Sequence, residues 1–386
     1  MTLLIDIGPL NDRQSDEALT AIYKAIHDHG DEDSIWNPHE SPYIQRLIEL
    51  FTERGLTRLD KVRAELNAWA EGERHNKNSN QIPKPDGMMR RWGKNELALV
   101  KLYLESLPPD QFTLDDWGMV VDYIVQRYLP EDELRTEAEW LTTRSGLMGK
   151  VQANMDKPPT LKQADILLAA MPLTIKDATG KFILSPTQQA VIDFGRARAA
   201  EAVARLSDNV RHKMRDVIMQ HEEQKILNGG GYAQGSSLQT RLLDEFSTLN
   251  RDWRRIALTE AGENANQGFI ASQVPGNKVK RLEQYKGACS FCRKIDGVVM
   301  EVVPASQPDK DPDTMVWVGK TNIGRSSSPR RRVGTALIER SPEERWQIPA
   351  GVVHPHCRGQ WLPQIQARSG DDPEFSEWLR NTLGEK

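Results

Sequence analysis

The sequence predicts a mainly α protein, a helical bundle with one long helix, followed by a small α+β domain near the C-terminus. Three features carry that prediction. The first 155 residues break into stretches whose apolar side chains recur at three- and four-residue steps, with helix punctuation between them. A proline-free stretch then runs from Pro186 to Asn228, roughly 40 residues at helical period. After Pro275 the texture changes to short valine-rich runs separated by loops rich in Pro, Asp and Ser.

The elements follow in order. Ser41 and Pro42 read as an N-cap and first helical residue, Ile44, Leu47, Ile48 and Phe51 share a face, and Gly55 ends the run. Thr57, with Asp60 three residues on, caps the next helix, lined by Leu59, Val62, Leu66 and Trp69. Residues 76–87 are polar and rich in breakers, so they form a loop. Thr113 and Asp116 open another helix carrying Trp117, Val120, Val121, Ile124 and Tyr128, and Pro130 follows it. The aromatics of these helices read as core.

The long helix starts at Ser185-Pro186 and stops at Asn228-Gly229-Gly230-Gly231; only Gly195 interrupts it. Val203, Leu206, Val210, Met214 and Val217 line one side, and at 1.5 Å per residue the helix reaches about 60 Å. Its other side carries Arg196, Arg198, Arg205, Arg211, Lys213 and Arg215 among Asp193, Glu201, Asp208 and Asp216, a solvated face or a set of phosphate contacts. Gly229–Gly231 and Gly235 are a hinge, because a phosphate loop needs a preceding strand and a following Gly-Lys-Ser/Thr. From Ser236 a further helix carries Leu238, Leu242, Phe246, Trp253, Ile256 and Ala257 into Leu258-Thr259-Glu260. Residues 298–303, 315–318 and 333–338 have strand-like composition, and a last helix falls at Glu374–Leu383 within a polar tail. The expected divisions are residues 1–155 (N-terminal helices), 156–235 (long helix and hinge), 236–366 (C-terminal domain) and 367–386 (tail).

Bulk properties limit the function classes. No apolar run approaches the roughly 20 residues that span a bilayer, so no membrane partner is expected. The first residues lack the basic start and apolar stretch of a secretory signal. Residues 1–150 hold 18 Lys and Arg against 27 Asp and Glu, a charge of −9, and the total of −4 leaves +5 for the remainder. An acidic front and a mildly basic back suit a protein facing two partners.

Three cysteines cannot all pair within one chain, and a reducing compartment is the simpler reading. Cys289 and Cys292 form C-x2-C; 61 residues later His354 and Cys357 form H-x2-C. Three thiols and an imidazole are a common tetrahedral zinc set. Closing so long a loop costs about 3.7 kcal/mol plus a constant. Structural zinc contributes on the order of 10–16 kcal/mol, so the metal outweighs closure. The expected site is a structural Zn2+ ion on Cys289, Cys292, His354 and Cys357, with His356 as the alternative imidazole. No catalytic residue is assigned. A redox C-x2-C would sit in a βαβ unit, a zinc deaminase would carry H-x-E before its cysteines, and a catalytic zinc needs an open position that four protein donors do not leave.

These residues resemble the phage Mu F-like minor head proteins, the phage head morphogenesis family. That family carries Arg-Thr-Glu near a helix end, then C-x2-C and Asp-Gly, and far downstream His-Pro-x-Cys-Arg-Cys. This chain has Leu258-Thr259-Glu260, Cys289-Ser290-Phe291-Cys292, Asp296-Gly297 and His354-Pro355-His356-Cys357-Arg358 in the same order, over roughly residues 236–365. It departs at Leu258, in place of arginine, and at Gly359, in place of the last cysteine. The second departure makes His354 and Cys357 the matching ligand pair. The resemblance implies a structural minor capsid protein of a tailed phage, with the portal protein and other head proteins as partners. It places the protein in the virion, inside the head near the portal vertex, after assembly in the host cytoplasm, and in some relatives the protein leaves with the DNA on ejection. The long insertion before His354 carries a basic hook, Arg325, Arg330, Arg331 and Arg332, that suits packaged double-stranded DNA, an acidic portal surface or plain solvent. The alternative is an enzyme: an ADP-ribosyltransferase-like toxin using Arg325, Ser326–Ser328 and Glu343-Glu344, or a zinc-knuckle nuclease.

Overall fold

The computed structural model describes residues 42–80, 82–85, 92–155, 160–227, 238–283, 287–364 and 373–384. The expectations on residues 1–6, on Ser41, on the 228–236 hinge, and on residues 86–87 and 369–372 lie outside them. The chain is mainly helical, with a small sheet region near the C-terminus. Among the described residues no helix is long and apolar enough to cross a membrane.

Helix α1 runs unbroken over Pro42–Ala70. Gly55 therefore does not end a helix, and Thr57 does not cap one. The glycine has a packing role instead. A Cβ at residue 55 would stand 1.9 Å from the indole of Trp253, which stacks on Phe51 at 5.3 Å and donates its Nε1 hydrogen to the Phe51 carbonyl at 3.0 Å. Thr57 turns its hydroxyl back to the Glu53 carbonyl at 2.8 Å, the mid-helix habit of threonine. Helices α2 (Lys94–Glu105), α3 (Leu114–Tyr128) and α4 (Glu131–Ala153) follow. The Thr113 and Asp116 capping box is formed at the start of α3, and Pro130 is the N-cap of α4. Residues 76–80 and 82–85 are without helix or strand.

Short helices α5 (Leu161–Ala170) and α6 (Ile175–Lys181) lead to α7 (Pro186–Leu227), 42 residues and thus about 63 Å long. Val203, Leu206, Val210, Met214 and Val217 are all buried. Of the six cations Arg196, Arg198, Arg205, Arg211, Lys213 and Arg215 of α7, four are tied to other helices. Arg211 and Arg215 both hold Asp122 of α3, at 3.0 and 2.7 Å. Helix α8 spans Leu238–Ala271; Arg198 reaches its Glu260 at 2.9 Å and Lys213 its Glu245 at 2.7 Å. These four cations join helices, where the sequence left a solvated face or phosphate contacts open. Among the described residues Arg196 and Arg205 make local pairs, with Asp193 and Glu201.

Helices α4, α7 and α8 pack on one another, with α1 against α8. One apolar core takes side chains from Leu47 through Ala261 and again from Phe375 and Leu379. It draws on chain either side of residues 155 and 235. Where α4 crosses α8 the backbones nearly touch: a Cβ on Gly149 would lie 2.1 Å from the Ala265 carbonyl oxygen, and one on Gly268 would lie 2.3 Å from that of Gly146.

Beyond α8 lies a four-stranded sheet of order β3-β2-β1-β6: β1 (Lys278–Leu282), β2 (Val299–Val302), β3 (Met315–Val316) and β6 (Gln360–Pro363). Strand β1 pairs antiparallel with β2 and β6, and β2 pairs parallel with β3. Helix α9 (Ser290–Ile295) lies between β1 and β2. Residues 333–338 are not one strand. They straddle a turn at Gly334, whose φ of 60° glycine supplies without strain. The turn joins β4 (Arg330–Val333) to β5 (Ala336–Glu339), a two-stranded hairpin exposed along its length. Helix α10 (Pro373–Leu383) closes the described chain, packing Phe375 on Phe182 at 5.3 Å.

Candidate metal centre

The knuckle is built by α9. Cys289 is its N-cap residue, and its sulfur accepts the Cys292 amide hydrogen at 3.4 Å. Two thiols three positions apart on one capped turn thereby face the same way. Asp296 and Gly297 then turn the chain into β2, Gly297 with φ of 78°. The second half is also a tight turn: the Cys357 amide donates to the His354 carbonyl at 2.9 Å, and His356 takes the left-handed conformation at φ 66°.

The structure brings His354 to the knuckle and turns His356 away. His354 Nε2 lies 3.4 Å from both Cys289 Sγ and Cys292 Sγ. Its Nδ1 is 2.8 Å from the Pro355 carbonyl, which only accepts, so Nδ1 carries a hydrogen and Nε2 is the nitrogen turned toward the sulfurs. His356 is exposed, and its amide donates to Thr259 Oγ1 at 3.4 Å. Trp346 stacks on the His354 ring at 5.3 Å and fixes its plane.

Cys289, Cys292 and His354 form a cluster that could hold a metal ion. The fit can be tested on distance. Zinc bonds of about 2.3 Å to sulfur and 2.05 Å to nitrogen at the tetrahedral angle set an S···N edge of about 3.6 Å. The two edges here are 3.4 Å. Cys357, the fourth predicted ligand, stands outside this cluster and belongs to a second one: the donor atoms of Glu283, Cys292 and Cys357 also lie within 4.8 Å of one another. Two donor triads therefore share Cys292.

The surroundings favour ionised sulfur. Burial opposes it at Cys289, but the Cys292 amide and the His354 ring outweigh burial and hold the thiol below its ordinary range. Burial opposes it more at Cys357. There Cys292, the Arg281 guanidinium and the amides of Gly359 and Val353 hold the thiol well below the usual value. Burial pulls the His354 ring down, yet the Pro355 carbonyl and Cys289 leave it raised.

Sequence reasoning passed over the side chains that hold this corner in place. Arg281 and Glu283 are fully buried and paired at 2.8 Å. Glu263 of α8 accepts the Val352 amide at 2.6 Å and the Gln267 side chain at 3.1 Å. Asn266 donates to the Gly359 carbonyl at 2.8 Å, and Gln267 accepts the Gly319 amide at 3.0 Å. Gly351 and Gly359 are small because carboxylates fill the adjoining space: a Cβ at residue 351 would stand 1.8 Å from Glu263, and one at 359 would stand 2.0 Å from Glu283. The signal available in the sequence was the polar run Glu260, Glu263, Asn264, Asn266 and Gln267 at the end of an otherwise amphipathic helix.

The basic hook is separate from the thiols. Arg330, Arg331 and Arg332 form strand β4 of the exposed hairpin, with Arg330 near Glu339 at 3.9 Å and Arg331 bonded to Glu344 at 3.1 Å. Arg325 clamps the hairpin base, its guanidinium donating to the carbonyls of Glu343 and Arg345 at 2.5 and 3.3 Å. Ser326 and Arg345 form a bridge beside it. Arg325 thus bonds the backbone beside Glu343-Glu344, not their carboxylates. Comparison with known protein families, curated proteins and solved structures finds no match to this chain.

Proposed function

We propose that the chain is a structural minor head protein of a tailed phage, acting at the portal vertex, and that Cys289, Cys292, His354 and Cys357 hold one structural zinc ion. The observation that carries this reading is convergence. Three motif segments separated by up to 97 residues meet in space: the knuckle at Cys289–Cys292, the turn at His354–Cys357, and the helix bearing Leu258-Thr259-Glu260, whose Thr259 accepts the His356 amide. Accidental motif matches have no reason to meet at one point. Zinc bound by four protein donors keeps no open position, so it supplies cross-linking and no reaction. The departure at Gly359 also has a physical account, since the Glu283 carboxylate fills the space a side chain there would need.

In this reading the zinc corner is a rigid base from which the β4–β5 hairpin projects toward the portal, other head proteins or packaged duplex DNA. Support for the projecting role comes from the clamps at its foot, Arg325 on two carbonyls and the Arg340 amide on the Pro329 carbonyl at 2.8 Å. The test is co-expression with a tailed-phage portal protein. The chain is expected to co-purify with assembled portal rings, and to lose that association when Cys289 and Cys292 are replaced by serine. A chain that never associates with portal rings or head precursors contradicts the proposal.

A further inference from the structure

Behind the thiols lies an ion pair with both side chains at zero exposure, Arg281 with Glu283. Each arm of the guanidinium is engaged. Nε donates to Glu283 Oε1 at 2.8 Å, Nη1 to the Gly351 carbonyl at 3.0 Å, and Nη2 approaches Cys357 Sγ at 3.9 Å. The ring of Trp361 lies 5.2 Å beneath it. Glu283 is held from its own side, its amide donating to Asp296 at 2.8 Å, and its carboxylate lies 3.6 and 3.7 Å from Cys357 Sγ.

This pair bears on a choice the donor set leaves open. An ion could sit in the outer triad of Cys289, Cys292 and His354, or in the inner triad of Glu283, Cys292 and Cys357. Carboxylate oxygen is an ordinary zinc ligand, so donor chemistry alone does not exclude Glu283. Arg281 breaks the symmetry, because its side-chain contacts with donors fall on the inner triad. A dication placed there would meet a buried cation already bonded to its carboxylate.

We propose that Arg281 is a positioning residue of the metal centre: it supplies the counter-charge to the Cys357 sulfur and keeps Glu283 off the metal, so that one ion takes Cys289, Cys292, His354 and Cys357. The inference rests on the zinc reading above and adds which donors are used and why. Charge bookkeeping agrees. Three thiolates and a divalent ion leave one negative charge, and Arg281 and Glu283 cancel. Removing Arg281 alone leaves a second, uncompensated anion in a buried site.

The test is Co(II) titration of the purified, reduced full chain, read by its thiolate charge-transfer and d–d bands and by competition with a chelator. The parent is expected to show a tetrahedral three-thiolate spectrum at one cobalt per chain. Glu283→Gln should keep that spectrum. Arg281→Met should weaken cobalt binding by about 10- to 100-fold, the usual penalty for loss of an outer-shell partner. The double variant, which removes both charges together and leaves the corner at the parent's net charge, should recover most of the loss and decides the question even where Arg281→Met alone does not fold. A changed d–d envelope in Glu283→Gln makes Glu283 a ligand and overturns the inference. Binding by Arg281→Met within twofold of the parent, or no recovery in the double variant, overturns it as well. A parent chain without cobalt bands removes the zinc reading itself, a failure distinct from these.

Discussion

In the helical core, α4, α7 and α8 meet through close-packed apolar side chains and glycine-to-backbone crossings, and Trp69, Trp253, Leu47, Leu59 and Leu66 are sealed from water. In the C-terminal corner the apolar clusters are small, nine buried residues in one and five in the other. Polar side chains of α8 do the tethering there. The two regions share one helix whose first half is ordinary core and whose end is a row of buried polar groups. Where burial supplies stability, the cost of a change follows the apolar volume it removes. Where the 61 residues between Cys292 and His354 are pinned by a few directed bonds, each bond sets the local geometry.

Stripping metal with a chelator, or replacing Cys289 and Cys292 by serine, should have the largest effect and the most local one. Amide exchange in residues 287–364 is expected to rise by orders of magnitude, while α4 and α7 keep their protection. Trp253→Ala acts on the other region. It empties the space that Gly55 provides and should cost about 3–5 kcal/mol in urea unfolding, with metal stoichiometry unchanged. Next comes pH. Burial pulls Lys320 down to about 7, with its ammonium donating to the carbonyls of Pro312 and Met315 at 2.6 and 2.8 Å. The unfolded chain binds that proton up to about pH 10.5, so the unfolded state holds more protons and stability rises with pH from 7 upward. The gain between pH 7 and 9 should be about 2 kcal/mol, and Lys320→Met should flatten the slope. Glu263→Ala should cost about 2 kcal/mol and loosen residues 350–353 alone, read as exchange of the Val352 amide. The smallest effect on stability is expected from reversing the charges of Arg330, Arg331 and Arg332. Unfolding should shift by less than about 0.5 kcal/mol, whereas the salt dependence of duplex DNA binding should fall. An unchanged salt slope removes DNA as the partner of the hairpin.

The same contrast explains what could be read in advance. The α3 capping box, the span of α7 and the last helix follow from local rules, and the sequence carries those rules openly. Gly55 and Thr57 misled because a helix break and a tertiary contact use the same residue type; only Trp253, some 200 residues away, tells them apart. Helix α4 had no stripe to read. From Trp140 to Val151 it is buried on every side, and Thr142 and Ser145 satisfy their hydroxyls on its own carbonyls at 2.9 and 2.7 Å. Strand β1 was missed for a related reason: Lys-Val-Lys-Arg-Leu alternates correctly, but the second inward residue is Arg281. At the thiols, residue types and spacing named three side chains that meet, Cys289, Cys292 and His354, and only the fold shows that His354, not His356, faces the knuckle. The supporting carboxylates were illegible because a buried charge is recognised only with its partner in view.

Elemental analysis of the full chain purified in reducing buffer, alongside a variant with all three cysteines replaced by serine, addresses the metal directly. One zinc per chain in the parent, none in the variant, and a marked loss of stability confined to the C-terminal corner is the predicted result. A parent free of transition metal, with unfolding indistinguishable from that of the variant, contradicts it.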